Sequence, residues 1–106
     1  MAGIITGNVQ SLSVVSVTLS PAQVAANTTA EQTFTVPGVV ASDVAVAVSK
    51  PTAQAGLGIV GWRVSAANTV GITFSNNTAS PITPTASQVY AVVLARPDST
   101  QAGFNV

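Results

Sequence analysis

The chain has no cysteine and no histidine. The first absence excludes disulfides and thiolate metal sites, and the second removes the usual base that activates a serine or threonine nucleophile. Charge is nearly absent too. Three basic and three acidic residues, 6% of the chain, stand where a soluble domain carries about 25%. They are Glu31, Asp43, Lys50, Arg63, Arg96 and Asp98. The three acids fall in three separate segments, so no carboxylate pair for acid–base work is apparent. Glu31, Asp43 and Asp98 are the one oxygen-ligand set a hard cation could use, and their scatter makes solvated surface acids the default reading. No basic run exists, and no nucleic-acid partner is expected. No apolar run approaches the roughly 18 residues of a membrane span, and no membrane partner is expected. The segment Met1–Gly7 lacks a positive flank and a sustained apolar stretch, so no secretory signal is expected. This inventory predicts a protein that is not an enzyme and takes no cofactor.

What remains is 47% apolar, with aromatics at only 5%. A core must be built mainly from Val, Ala, Ile and Leu. Val and Thr are β-branched, and their abundance favours strands. A length of 106 residues suits one domain with one core. A net charge of zero is a solubility liability for a free monomer. Ser, Thr, Asn and Gln supply uncharged hydration instead.

Periodicity divides the chain into an N-terminal arm (1–10), a β-domain (11–96) and a C-terminal tail (97–106). Ser11–Leu19 reads as a strand whose alternation slips at Val14-Val15, implying a bulge or burial on both faces. Ser20-Pro21 signals either one helical turn over Ala22–Ala26 or an irregular loop. Glu31–Val36 alternates, with Gln32, Phe34 and Val36 on one face. Asp43–Ser49 has Val44, Val46 and Val48 against Ala45 and Ala47; apolar on both faces, it is expected at the centre of a sheet. Ile59–Ser65, with Val60, Trp62 and Val64 on one face, and Thr69–Ser75, with Val70, Ile72 and Phe74, form a hairpin through Ala66-Ala67-Asn68. Gln88–Ala95 is the last strand. Six to seven strands without an amphipathic helix predict an all-β fold, an antiparallel β-sandwich or a jelly-roll-like barrel.

Gly56-Leu57-Gly58-Ile59-Val60-Gly61 matches G-x-G-x-x-G. A dinucleotide site needs a strand before it, a helix starting within it and an acid about 20 positions on. A loop precedes it, strand residues follow, and the next acid is Asp98. The glycines are expected instead to let the loop turn and another backbone approach. Trp62 reads as a core anchor. Arg63, on the opposite face, is expected to pair with Asp43 or Glu31, with a subunit contact as the alternative. Asn27-Thr28-Thr29 and Asn76-Asn77-Thr78 match the glycosylation sequon and, with no secretory signal, are read as chance.

Several segments together resemble a family of small virion proteins of tailed bacteriophages. They are Val24–Val36, Lys50–Gly61, Arg63–Thr69, Ile72–Phe74 and Ser80–Pro84, and the likeness runs from Thr18 to Ala95. The resemblance implies a capsid decoration (cement) protein, a homotrimer seated on the major capsid protein at the outer capsid surface of the virion. The sequence departs from the family at Trp62, where a small residue is expected. On this view Ala2, Gly3, Ile4 and Ile5 of the arm are candidate capsid contacts. Trp62, Arg63 and Phe104 are candidate subunit contacts. The alternative is a receptor- or carbohydrate-binding fibre or tip module of the virion, which one Trp and one Tyr serve poorly.

Overall fold

A computed structural model of the chain describes residues 8–97. They form six strands: β1 (Val9–Leu19), β2 (Thr28–Thr35), β3 (Val44–Ser49), β4 (Leu57–Ala66), β5 (Thr69–Asn76) and β6 (Gln88–Pro97). The strands make two antiparallel three-stranded sheets, β1-β6-β3 and β2-β5-β4. The sheets pack as a sandwich. Each central strand puts alternate side chains between them: Val70, Ile72 and Phe74 from β5, and Tyr90, Val92 and Leu94 from β6, all buried. The predicted all-β sandwich is therefore the observed fold.

Three local features decide or overturn the sequence expectations. The segment Ala22–Ala26 is the irregular of its two expected forms, not the helical turn. The Gln32 side chain claims the Ala22 backbone, its Oε1 accepting from the Ala22 N–H at 2.7 Å and its Nε2 donating to the Ala22 carbonyl at 2.9 Å. Val24 and Ile82 exchange backbone hydrogen bonds of 2.8 and 3.0 Å, which hold the segment extended. In β1 the pairing with β6 runs unbroken through Val14 and Val15, and the bulge sits at Gln10. β1 begins at Val9, inside the segment read as an arm.

The third departure is the place of β3. It is an edge strand, not a central one, with β6 its sheet partner. Its two apolar faces arise because one packs on the core and the other stays exposed. A bulge at Val46 also breaks its register. A further bulge, at Val60, revises the facing of β4. Ile59, Trp62 and Val64 lie opposite Phe74, Ile72 and Val70, while Val60 is turned out to solvent.

Gly56 acts as the glycine-rich segment was expected to. It has a φ of +79°, and a Cβ there would lie 2.1 Å from Thr78 Cγ2. Its carbonyl accepts the Asn77 N–H at 3.0 Å. Asn76, at the end of β5, is buried and uses its whole amide. Its Nδ2 donates to the carbonyls of Val24 and Ser80 at 3.1 and 2.9 Å. Its Oδ1 accepts from Thr78 N–H and Thr78 Oγ1 at 2.9 and 2.7 Å. One side chain thus ties three segments, and its sequon lies where no glycan can attach.

Candidate functional site

Side chains alternate along a strand, so each sheet of a sandwich has one inner and one outer face. The outer faces differ sharply in chemistry. On sheet β2-β5-β4 the outer face is polar apart from Val60 at its β4 edge: Thr29, Glu31, Thr33 and Thr35 of β2 lie opposite Ser75, Thr73, Gly71 and Thr69 of β5. Glu31 and Arg63 span this face as an ion pair, with Nε to Oε2 at 2.7 Å and Nη2 to Oε1 at 2.9 Å. That hydrogen bond holds the Glu31 carboxyl below its ordinary pKa, with desolvation opposing it.

The outer face of sheet β1-β6-β3 is apolar. On β1, Leu12 and Val14 lie beside Ala95 and Val93 of β6, and Val44 of β3 flanks Ala95 from the other side. Val89 continues the row along β6. Leu12 and Val14 are 67% and 68% exposed, and Val89 and Val44 are 55% and 53% exposed. The remaining outward positions of β1 are Ser16, Thr18 and, opposite Pro97, Val9. β1 and β3 contain no charged residue, and β6 contains only Arg96.

Arg96 is turned away from this face. It closes the end of the sandwich on Asp43, its Nε and Nη2 donating to the two carboxylate oxygens at 2.8 and 2.9 Å. Nη2 also donates to the Gly38 carbonyl at 3.0 Å, and Asp43 accepts the Val40 N–H at 3.0 Å. The Arg96 hydrogen bonds push the Asp43 carboxyl below its ordinary pKa against the opposing effect of burial. Lys50 donates to the Thr52 carbonyl in its own loop.

The predicted contact residues divide three ways. Arg63 is paired with Glu31, one of its two expected partners, on the polar face. Trp62 belongs to the inner side of the edge strand β4, opposite Ile72, and is 37% exposed rather than a fully buried anchor. The two neighbours therefore point to opposite sides of one sheet. Ala2, Gly3, Ile4, Ile5 and Phe104 lie outside the described residues. Asp98 does too, while Glu31 and Asp43 each serve a different arginine. Among the described residues no group of three metal-ligating side chains comes together.

Sequence reasoning did not single out Leu12, Val14, Val44 and Val89. Their signal was present as strands apolar on both faces. Three clefts, of about 180 Å³ beside Arg96, about 250 Å³ beside Lys50 and about 280 Å³ beside Gly56, fall below the 300–1,000 Å³ of ordinary ligand pockets. What the described surface offers is an uncharged, apolar outer face on sheet β1-β6-β3. No family model, curated protein or solved structure matches the chain.

Proposed function

We propose that this chain is a structural binding module, a capsid decoration protein of a tailed bacteriophage, and that it docks through the apolar outer face of sheet β1-β6-β3. The observation that carries the reading is the exposed row Leu12, Val14, Val44 and Val89 on a face free of charge. The likeness of the segments between Thr18 and Ala95 to virion proteins supplies the partner, the major capsid protein. Each of those side chains has about half its surface left to bury, on the order of 1 kcal/mol apiece. Such a sum only just offsets the cost of association for one copy. A repeating shell supplies many sites, and linked copies convert weak contacts into stable attachment.

The test is co-sedimentation of the purified protein with undecorated capsids of its particle. Val89→Lys is expected to weaken binding at least about tenfold, because it buries an unpaired charge in the contact. Thr35→Lys, on the polar outer face, is expected to bind as the parent does. Equal binding by both variants would move the contact elsewhere. A parent that ignores capsids and binds host cells would support the fibre or tip alternative.

A further inference from the structure

A two-sheet sandwich has four edge strands, and here three are protected against pairing with another chain. β2 carries Glu31. β3 has six residues and a bulge at Val46. β4 carries Arg63, with bulges at Val60 and Ser65. β3 and β4 also lie against each other along one side of the sandwich. β1 is different. Its 11 residues contain no charge and no proline, and its one irregularity falls at Gln10, next to its start. β6 pairs with one side of it, and the other side is a row of backbone donors and acceptors with no partner strand among the described residues.

We propose that β1 pairs, antiparallel and edge to edge, with β1 of a second copy of this chain. The occupant follows from the sequence of the strand. Pairing across a two-fold axis sets a strand against itself, so any charge would face its like, at a cost. β1 alone among the long edges has no charge to oppose, and it is built of Val, Leu, Ser and Thr with a single Gln. The axis falls near Val14, the middle of the strand. There it brings together the two most exposed large apolar side chains among the described residues, Leu12 and Val14.

The geometry has a consequence for docking. A two-fold axis relating antiparallel strands stands perpendicular to the sheet. Both outer faces then lie on one side, and six strands, β3-β6-β1-β1-β6-β3, present one apolar platform of doubled area. The pairing stands on the edge chemistry and holds whatever the platform docks against. It replaces the three-fold assembly that the family resemblance implies.

Native mass of the full chain tests the proposal. Two copies of the 10.5 kDa chain are expected at about 100 μM, a hundred times a micromolar Kd. Val14→Lys is expected to give one copy with an unchanged circular dichroism spectrum. A parent of one or three copies, or a V14K variant still of two, overturns the proposal.

Cysteine scanning gives a second reading, since the chain has no thiol of its own. Single substitutions from Leu12→Cys to Ser16→Cys are oxidised in turn. Disulfide-linked dimer is expected to peak at the residue on the axis. Two residues away, identical positions are about 13 Å apart along the strand. That is beyond the roughly 7 Å a disulfide spans. A flat profile overturns the antiparallel pairing even if the mass is that of two chains.

Discussion

Glu31 on β2 grips Arg63 on β4 across the bare backbone of Gly71 on β5. A Cβ on Gly71 would stand 2.3 Å from Glu31 Oε2 and 2.8 Å from Cδ. The glycine is therefore the gap through which two edge strands are tied over a central one. The clashing atoms are the far end of a flexible side chain. Gly71→Ala is expected to displace the ion pair and keep the fold. Relief of the glycine penalty, about 0.5–1 kcal/mol, sets the sign. Thermal melts at low and high salt check this: the parent should lose a small increment with salt, as exposed pairs do, and the variant should not. A loss above about 2 kcal/mol would mean that Glu31 cannot swing aside.

Asp43 is a buried acid paired with Arg96. Its side chain is 1% exposed, and Arg96 and the Val40 N–H saturate it. Its folded pKa lies below the unfolded value of about 3.9, so the folded state holds the proton less tightly. The stability this contributes is complete above that unfolded value and is lost as pH falls through the folded one. Urea midpoints should be level from neutral pH to about 5 and fall below about 4. Asp43→Asn should remove that acid limb and lower stability at neutral pH by about 2 kcal/mol. That is less than a fully buried pair costs, because the Arg96 side chain is 38% exposed and keeps water.

Tyr90 is fully buried, and its hydroxyl has no hydrogen-bond partner among the described residues. Burial also raises its pKa, so the hydroxyl stays neutral. An unpaired buried hydroxyl costs roughly 1–3 kcal/mol, whereas the ring fills the space between the sheets. Tyr90→Phe should therefore hold or raise the melting temperature, by up to about 5 °C. A drop of that size would mean that the hydroxyl has a partner in solution, such as a buried water.

Strand positions were legible because alternation of Val and Thr with small residues follows the pleat. The Val70, Ile72, Phe74 face and the Asn68 turn, with its φ of +57°, came directly from that pattern. Facing was less legible. Val60 stands out of phase because a bulge inserts one residue, and nothing in Gly58-Ile59-Val60-Gly61 marks which residue is extra. β3 looked central because apolar residues on both faces mean either burial on both sides or an uncovered apolar surface. Sequence does not separate the two. The same ambiguity hid the apolar outer face, since Leu12 and Val14 read as a slipped strand rather than an exposed row. Long-range polar pairs were half legible: Glu31 was named as a partner for Arg63, but Gln32 on Ala22 spans ten residues and depends on the fold.

Asn76 separates charge from shape at a buried position. Its Nδ2 faces two carbonyl oxygens, those of Val24 and Ser80, and its Oδ1 faces two donors on Thr78. Asn76→Asp keeps the shape and the accepting oxygen but sets an anion against the two carbonyls. Two hydrogen bonds of about 1 kcal/mol each are lost, and a buried charge is added, so the variant should be at least about 3 kcal/mol less stable near pH 7. Burial and the facing carbonyls raise the folded pKa of the introduced acid above its unfolded value of about 3.9. The folded variant then binds a proton more tightly than the unfolded chain. Stability should recover as pH falls from about 7 to about 5, because the neutral acid can donate to one carbonyl again. That slope is opposite to the acid limb that Asp43 gives the parent. Asn76→Ala removes donor and acceptor alike and should show no recovery. Urea midpoints at the two pH values compare all three chains. If N76D and N76A lose the same stability at both, the amide donors do not hold the Val24 and Ser80 segments, and packing alone does.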